Sequence, residues 1–315
     1  MGTYIDFTDL LSCDDYWNYT LAMSNVDFEE LDNYNFDGGV TYPYTNRKFV
    51  VDGNIIVENP GTILLFEGCQ LVFKPNNPPY TITVKADATL QLYPFVDTTD
   101  PLNEIRIATH LFSCDDMWGG IINEEDGTID IIAVSAASLP TKIEDADKAI
   151  QSDNGDVNIR FANFNNNFIG IELLNYDKTI SNLASDKGFL GITFSCSDSI
   201  LTKPLHPGEQ PFANFNLVDV VNVSIGGFGA TPATPITYKN KFADAIFGIR
   251  SQSSIAKIFN NEFTNIGIKD VICRLCEGAI FATEGSNLTI GGLLTEIPIS
   301  ETISKTAMLA LSPEE

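Results

Sequence analysis

The chain has 315 residues, and its 18 Lys+Arg against 42 Asp+Glu give a formal net charge of −24. That balance excludes an electrostatic nucleic-acid binder, which needs clustered Lys/Arg to meet phosphates. With 44% hydrophobic residues and a mean hydropathy of +0.03, the chain has apolar surface for a sizeable core, which excludes global disorder. Only 19% of residues are charged while Phe reaches 21, a mixture that favours strands and turns over helices. The expectation is neither a membrane span nor a signal peptide: no run of 18 apolar residues occurs, and the first twenty residues carry Asp6, Asp9, Asp14 and Asp15 without Lys or Arg.

Residues 1–46 are acidic and tyrosine-rich, with Tyr4, Tyr16, Tyr19, Tyr34, Tyr42 and Tyr44, and carry no Lys or Arg. An N-terminal cap over an open β-edge is the structural reading, a tyrosine-lined sugar site the functional one. From residue 47 short runs read as strands: Thr62–Phe66, Gln70–Phe73, Thr81–Val84 and Thr128–Ile132. Turn dipeptides separate them, namely Asp52-Gly53, Pro60-Gly61, Asp126-Gly127 and Asn154-Gly155.

Residues 136–295 hold internal repeats, which decide the architecture. Phe168-Ile169-Gly170-Ile171 returns as Phe189-Leu190-Gly191-Ile192, and Gly248-Ile249 returns as Gly267-Ile268, so one unit takes about twenty residues. Phe161-Ala162-Asn163-Phe164-Asn165 recurs as Phe212-Ala213-Asn214-Phe215-Asn216, and Asn222-Val223-Ser224-Ile225 as Asn287-Leu288-Thr289-Ile290. A shift of 99 pairs Asp145/Asp244, Ala146/Ala245, Ile150/Ile249, Ser152/Ser251, Ile159/Ile258, Phe164/Phe263 and Asn166/Asn265 without a gap. Such a unit is too short for a βαβ crossover and suits one coil of a parallel β-helix, whose equivalent residues stack into ladders. A β-propeller and a leucine-rich repeat need longer blades or a different leucine frame. The segments 203–208 and 229–235 read as loops leaving the solenoid, and residues 296–315 as a final cap or tail.

Met117-Trp118-Gly119-Gly120-Ile121, then Ile143-Glu144-Asp145-Ala146, Asn163-Phe164-Asn165-Asn166, Gly170-Ile171 and the two Ile-Gly-Gly segments resemble the right-handed β-helix repeat proteins secreted by Bacteroidetes, similar in architecture to pectin lyases. The resemblance implies an all-β fold: a single right-handed parallel β-helix over residues 47–295 behind the N-terminal capping segment. It also implies an extracellular or cell-surface location, and a fragment of a longer protein with its own signal and secretion domain.

The most distinctive repeated string is Ser12-Cys13-Asp14-Asp15-Tyr16-Trp17, returning as Ser113-Cys114-Asp115-Asp116-Met117-Trp118. Paired carboxyls suit acid and base work on a glycosidic bond. Adjacent aspartates on an extended chain point apart, however, so a solenoid corner with Trp over an edge and Cys in the core is the reading adopted. The two histidines, His110 and His206, lack the Gly-His-Gly frame of a β-helix polygalacturonase, and Arg160 and Arg250 have no recognisable acidic cluster beside them in sequence. Asp153-Asn154-Gly155-Asp156 and Glu124-Glu125-Asp126-Gly127 offer oxygen ligands on tight turns but lack a calcium-loop spacing. Cys273 and Cys276 have no second pair for zinc; Cys13, Cys69, Cys114 and Cys196 are scattered, with one or two disulfides open.

No catalytic, cofactor-binding or metal residue is therefore assigned, beyond weak nonspecific calcium binding to an acidic surface. The expected function is a secreted or surface-displayed structural or adhesive module without catalysis, with a glycan or another secreted protein as partner, no nucleic acid and no membrane insertion. The competing reading is a polysaccharide lyase or glycoside hydrolase acting on the outer face of the β-helix. An acidic surface favours a neutral glycan over an anionic one.

Overall fold

The computed structural model describes residues 29–31, 33–97, 105–133, 139–178, 188–197, 199–226, 239–267, 278–283 and 285–291, together with 5–6 and 307–309. No helix occurs among them. Short strands follow one another in a cycle of three, and each strand pairs in parallel with the strand one cycle earlier and one cycle later. Nine such cycles make nine stacked coils. Coil 1 is Glu29–Glu30, Asn35–Phe36 and Thr41–Thr45; coil 5 is Thr141–Glu144, Ala146–Asp153 and Asp156–Arg160; coil 9 is Asn261–Thr264, Gly278–Ala282 and Asn287–Gly291. The other coils span 48–67, 70–93, 110–132, 162–190, 193–225 and 240–259. The chain is a parallel β-helix with three faces, called here the first, second and third sheets in the order each coil visits them.

Alternation explains the interior. On each strand one set of side chains points into the tube and the next points out. The inward rungs of the second sheet read Ile55, Ile82, Ile121, Ile150, Ile171, Phe215, Ile249 and Ile280 from coil to coil. Those of the third sheet read Tyr44, Phe66, Leu92, Ile131, Ile159, Phe189, Ile225, Ile258 and Ile290. Nearly all are fully buried in one continuous core. Each contributes about 1.5–3 kcal/mol by leaving water.

The corners depend on a second device. Between the second and third sheets the chain turns through a residue with positive φ in successive coils: Asn59, Asp87, Asp126, Asn154, Asn175, Asp219 and Ser253, then Gly285. The left-handed conformation is open to glycine and to Asn or Asp, whose short polar side chains bond locally, and is costly for most others. The abundant Asn and Asp are thus corner residues. Glycines at the same corner serve a different need: a Cβ on Gly127 would lie 2.4 Å from Asn123 Oδ1, and one on Gly155 would lie 2.3 Å from its Nδ2.

Compact coils repeat every 21 or 22 residues, as in Asn240 to Asn261 and Asp52 to Lys74. Longer coils carry insertions. Phe95–Asp97 and Ile105–Ile107 form a small sheet with Ile5–Asp6 before coil 4, and residues 199–212 loop out of coil 7. The ends of the tube are blunted. Ala307–Leu309 pairs antiparallel along Gly278–Ala282, and the edge strand Thr41–Thr45 carries Pro43, which has no N–H to offer a further strand.

Four expectations change. Parallel pairing already begins at Glu29, where Glu29 and Glu30 pair with Phe49 and Val50, so residues 29–45 are the first coil and not part of a cap. The Gly170-Ile171 and Gly191-Ile192 match is not a ladder: Ile171 pairs with Ile150 and Phe215 in the second sheet, whereas Ile192 sits at the corner leading into the first. Gly248 and Gly267 likewise occupy a strand and a corner, with Ile268 outside the described residues. Phe164 and Phe215 also lie on different sheets. All three faces use the same apolar alternation and most corners turn through glycine, Asn or Asp, so a short string recurs on the wrong face. The longer repeats hold. Ile150 reaches Ile249 through Ile171 and Phe215, which makes 99 residues three coils, and Ile225 reaches Ile290 through Ile258, two coils.

Candidate binding face and the loop beside it

The outer surface of the second sheet carries the densest side-chain array. Its inward rungs Ile150, Ile171, Phe215 and Ile249 are each followed by a residue that points outward, giving the ladder Gln151, Glu172, Asn216 and Arg250. These groups bond along the rod. Glu172 accepts from Lys148 Nζ at 2.6 Å and Gln151 Nε2 at 2.9 Å through one oxygen, and from Asn216 Nδ2 at 2.7 Å through the other. Asn216 Oδ1 in turn accepts from Arg250 Nη1 at 2.8 Å, and Gln252 Oε1 accepts from Nη2 at 3.1 Å. Charge-assisted bonds of this kind fix their members in single rotamers and keep the nearly buried Glu172 compensated. A guanidinium has five N–H donors, so Arg250 retains donors beyond these two bonds.

An aromatic row runs beside the ladder. Phe168 and Phe212 have ring centroids 5.9 Å apart, Phe212 and Phe247 5.4 Å, and Phe247 and Phe281 5.0 Å, so the rings climb from coil 6 to coil 9. Arg250 lies 5.7 Å over the Phe212 ring and joins the two arrays. Phe168, Phe212 and Phe281 are half-buried, outside the main core. At its lower end the row meets His206, whose ring stacks on Phe168 at 3.6 Å and 8°.

His206 belongs to the inserted loop 199–212, which folds back over lower coils. Its own hydrogen bonds close it: Leu201 N to Glu209 O, Gly208 N to Leu201 O and Glu209 N to His206 O. Leu201 and Phe168 pack with Met117 and Cys196 in a small separate apolar cluster. His206 Nε2 meets Asp147 Oδ1 at 2.9 Å, and Lys203 Nζ meets Asp145 Oδ2 at 2.5 Å and also donates to Ser113 O. His110 is nearby in coil 4, its Nε2 2.5 Å from Glu144 Oε2. Burial works against the Glu144 charge, but the hydrogen bond and charge of His110, with Asn165 and Lys142, prevail and hold its carboxyl down at about 2. Burial pushes the neighbouring Asp145 up to about 6 against the pull of Lys203. Both histidines of the chain thus bond to carboxylates of coil 5.

The residues singled out in sequence fall as follows. Asp115 and Asp116 lie at the corner of coil 4 below the loop; Asp116 Oδ1 caps the Met117 N–H at 2.7 Å, and burial raises the Asp115 carboxyl, with Asp116 adding to the effect and Lys203 opposing it. Trp118 does not cover an edge: it is fully buried, stacked on Phe73 at 4.1 Å, with its indole N–H on Glu144 O. Asp14 and Asp15 lie outside the described residues. Arg160 is on the outer face of the third sheet, in register with Ile132 and Leu190, far in the coil order from any shared rung with Arg250. The turn carboxylates meet cationic side chains, Glu124 with Lys85 at 2.5 Å and Asp126 and Asp156 with Lys178 at 2.9 and 3.8 Å. Asp153 accepts from Asn175 at 3.0 Å. Among the described residues no group of three or more His, Cys, Asp and Glu is arranged to hold a metal ion. Cys114 is disulfide-bonded, whereas Cys69 and Cys196 are buried thiols outside any disulfide.

Sequence reasoning missed the ladder and the row, although one signal was present. The 99-residue shift that aligns Ile150 with Ile249 also aligns Gln151 with Arg250, two long polar side chains at one outward position. Comparison of the chain with protein-family models, with curated proteins and with solved structures finds no match.

Proposed function

We propose that the chain is a secreted or cell-surface β-helical rod that serves as a structural and adhesive module, holding a neutral glycan against the outer face of its second sheet. The observation that carries this reading is the aromatic row Phe168, Phe212, Phe247 and Phe281 running beside Gln151, Glu172, Asn216 and Arg250. A pyranose has an apolar face of C–H bonds rimmed by hydroxyls. The half-buried rings of Phe168, Phe212 and Phe281 beside the Gln151 amide and the Arg250 guanidinium match both features. The net charge of −24 disfavours an acidic glycan. The disulfide at Cys114 fits an oxidising compartment, in line with the resemblance to secreted β-helix repeat proteins of Bacteroidetes and their pectin-lyase-like architecture.

A non-catalytic role is favoured because the carboxylates near the row are engaged with Lys148, Lys203, His110 and His206, rather than converging on one open point where a glycosidic oxygen would sit. The test is calorimetric titration with soluble neutral and acidic polysaccharides, with the same mixtures assayed for new reducing ends and unsaturated products. Binding of a neutral glycan that is weakened tenfold or more by Phe212→Ala is the expected result. Absence of binding to every neutral glycan would overturn the adhesive reading, and turnover would favour the lyase or hydrolase.

A further inference from the structure

Lys203 is the long arm by which the loop 199–212 reaches two coils down. Its Nζ lies 2.5 Å from Asp145 Oδ2 and donates to Ser113 O, and the two side chains keep only 19% and 11% of their exposure. We propose that Lys203 and Asp145 are the two halves of an intramolecular amide cross-link, which forms in the folded chain by condensation of the lysine amine with the aspartic carboxyl group.

The corner itself singles out this pair. At the turn from the first to the second sheet, coils 5, 6, 8 and 9 place Asp145, Asn166, Asp244 and Asn265 with positive φ. In coil 6 Asn166 Oδ1 accepts the Ser197 N–H at 3.0 Å. In coil 8 Asp244 accepts from Cys196 N, Ser199 Oγ and Asn265 Nδ2. Those side chains serve hydrogen bonds between coils. Asp145 faces a lysine instead, brought from a different coil by an insertion that the solenoid does not need.

Both reacting groups are held in place. The Asp145 backbone is fixed from two sides, its N–H on Asn165 O at 3.2 Å and its carbonyl on Trp118 N at 3.0 Å. The second acceptor, Ser113 O, confines the lysine nitrogen beside the carboxyl group. Holding two reactants at contact distance removes the entropy cost that makes amide formation slow between free partners. The environment also makes the neutral acid more accessible than on an exposed aspartate, because burial raises the Asp145 carboxyl to about 6. The other ionisable groups around the pair are Glu144, His110 and Asp115, of which Asp115 is close enough for Lys203 to act on its charge.

The step balances without an oxidant or a cofactor. The ammonium passes one proton to the Asp145 carboxylate, leaving a neutral amine and a neutral acid. The amine lone pair attacks Asp145 Cγ and the Nζ–Cγ bond forms. A second proton moves from nitrogen to the hydroxyl oxygen, and that oxygen departs with its bonding pair as water. One C–N bond is made, one C–O bond is broken and one water is released. The product fastens coil 7 to coil 5 covalently, which suits a rod under load, but the cross-link stands or falls independently of any glycan.

The experiment is intact-mass measurement of the reduced, denatured chain, followed by protease mapping. The expected result is a mass lower than the sequence mass by one water, with a branched peptide joining the segments that contain Asp145 and Lys203; Lys203→Arg should show the full mass and no branched peptide. A wild-type chain at full mass after long incubation of the folded protein near pH 6 overturns the proposal. So does a water loss that maps to Asp52-Gly53 or Asp126-Gly127, where a succinimide would form. If Lys203→Arg does not fold, the wild-type peptide map decides alone.

Discussion

Phe164 and Phe263, 99 residues apart in sequence, occupy the same rung of the first sheet three coils apart and are joined by an unbroken stack of rings. The centroids of Phe164 and Phe194 are 5.1 Å apart, those of Phe194 and Phe242 5.2 Å, and those of Phe242 and Phe263 4.9 Å, all within 22° of parallel. Phe164 and Phe242 are fully buried, while Phe263, in coil 9, is only half-buried. Truncating a buried aromatic costs about 3–5 kcal/mol. Phe164→Ala and Phe242→Ala should each lower the unfolding free energy measured in urea by that amount, and Phe263→Ala by clearly less. Equal effects at all three positions would contradict the graded burial.

The same rung shows how far the sequence reaches. The strands Thr81–Val84 and Thr128–Ile132 are where alternation places them, since period two in a half-buried strand admits no other face, and Gln70–Phe73, buried throughout, is read from its continuous apolar run. Glu29–Glu30 and Asn35–Phe36 escaped detection, because two-residue strands are too short to display a period and their surroundings are acidic. The Lys203–Asp145 contact was not legible for another reason: it depends on a 14-residue insertion folding back across coils, which no local pattern encodes. Arg250 was visible as a residue but not as part of a ladder, since its partner Asn216 is 34 positions away.

Gly191 tests the corner geometry. It turns with φ +66° between the third and first sheets, and a Cβ there would lie 2.5 Å from the Phe161 ring. Gly191→Ala should cost about 1–2 kcal/mol for the left-handed backbone and about 1–3 kcal/mol for overpacking. A thermal midpoint within error of wild type would show that the corner tolerates a side chain.

Cys69 should be chemically silent in the folded chain. It is fully buried, and burial pushes its thiol up to about 11, with backbone hydrogen bonds at Arg47 and Glu67 opposing the shift. Reactivity belongs to the thiolate, which is then scarce near neutral pH. Labelling of Cys69 by an aromatic disulfide reagent, read by peptide mapping, should therefore be absent until denaturant is added. Rapid labelling of Cys69 in native buffer would mean that the corner opens.

The acid limb of stability should report the Glu144–His110 pair. The Glu144 carboxyl is held at about 2 in the folded chain against an ordinary value of 4.5. A depressed carboxyl contributes its stabilisation in full above 4.5 and loses it as pH falls through about 2, because the unfolded chain binds the proton first. A shift of that size corresponds to about 3 kcal/mol, an upper figure because the side chain keeps 21% of its exposure and solvent screens the pair. Glu144→Gln retains the shape and removes the titration. Between pH 4.5 and 2 the wild-type protein should lose stability more steeply than the variant. Parallel curves across the whole acid range would mean that Glu144 titrates as an ordinary surface carboxylate and that the pair with His110 contributes nothing to the fold.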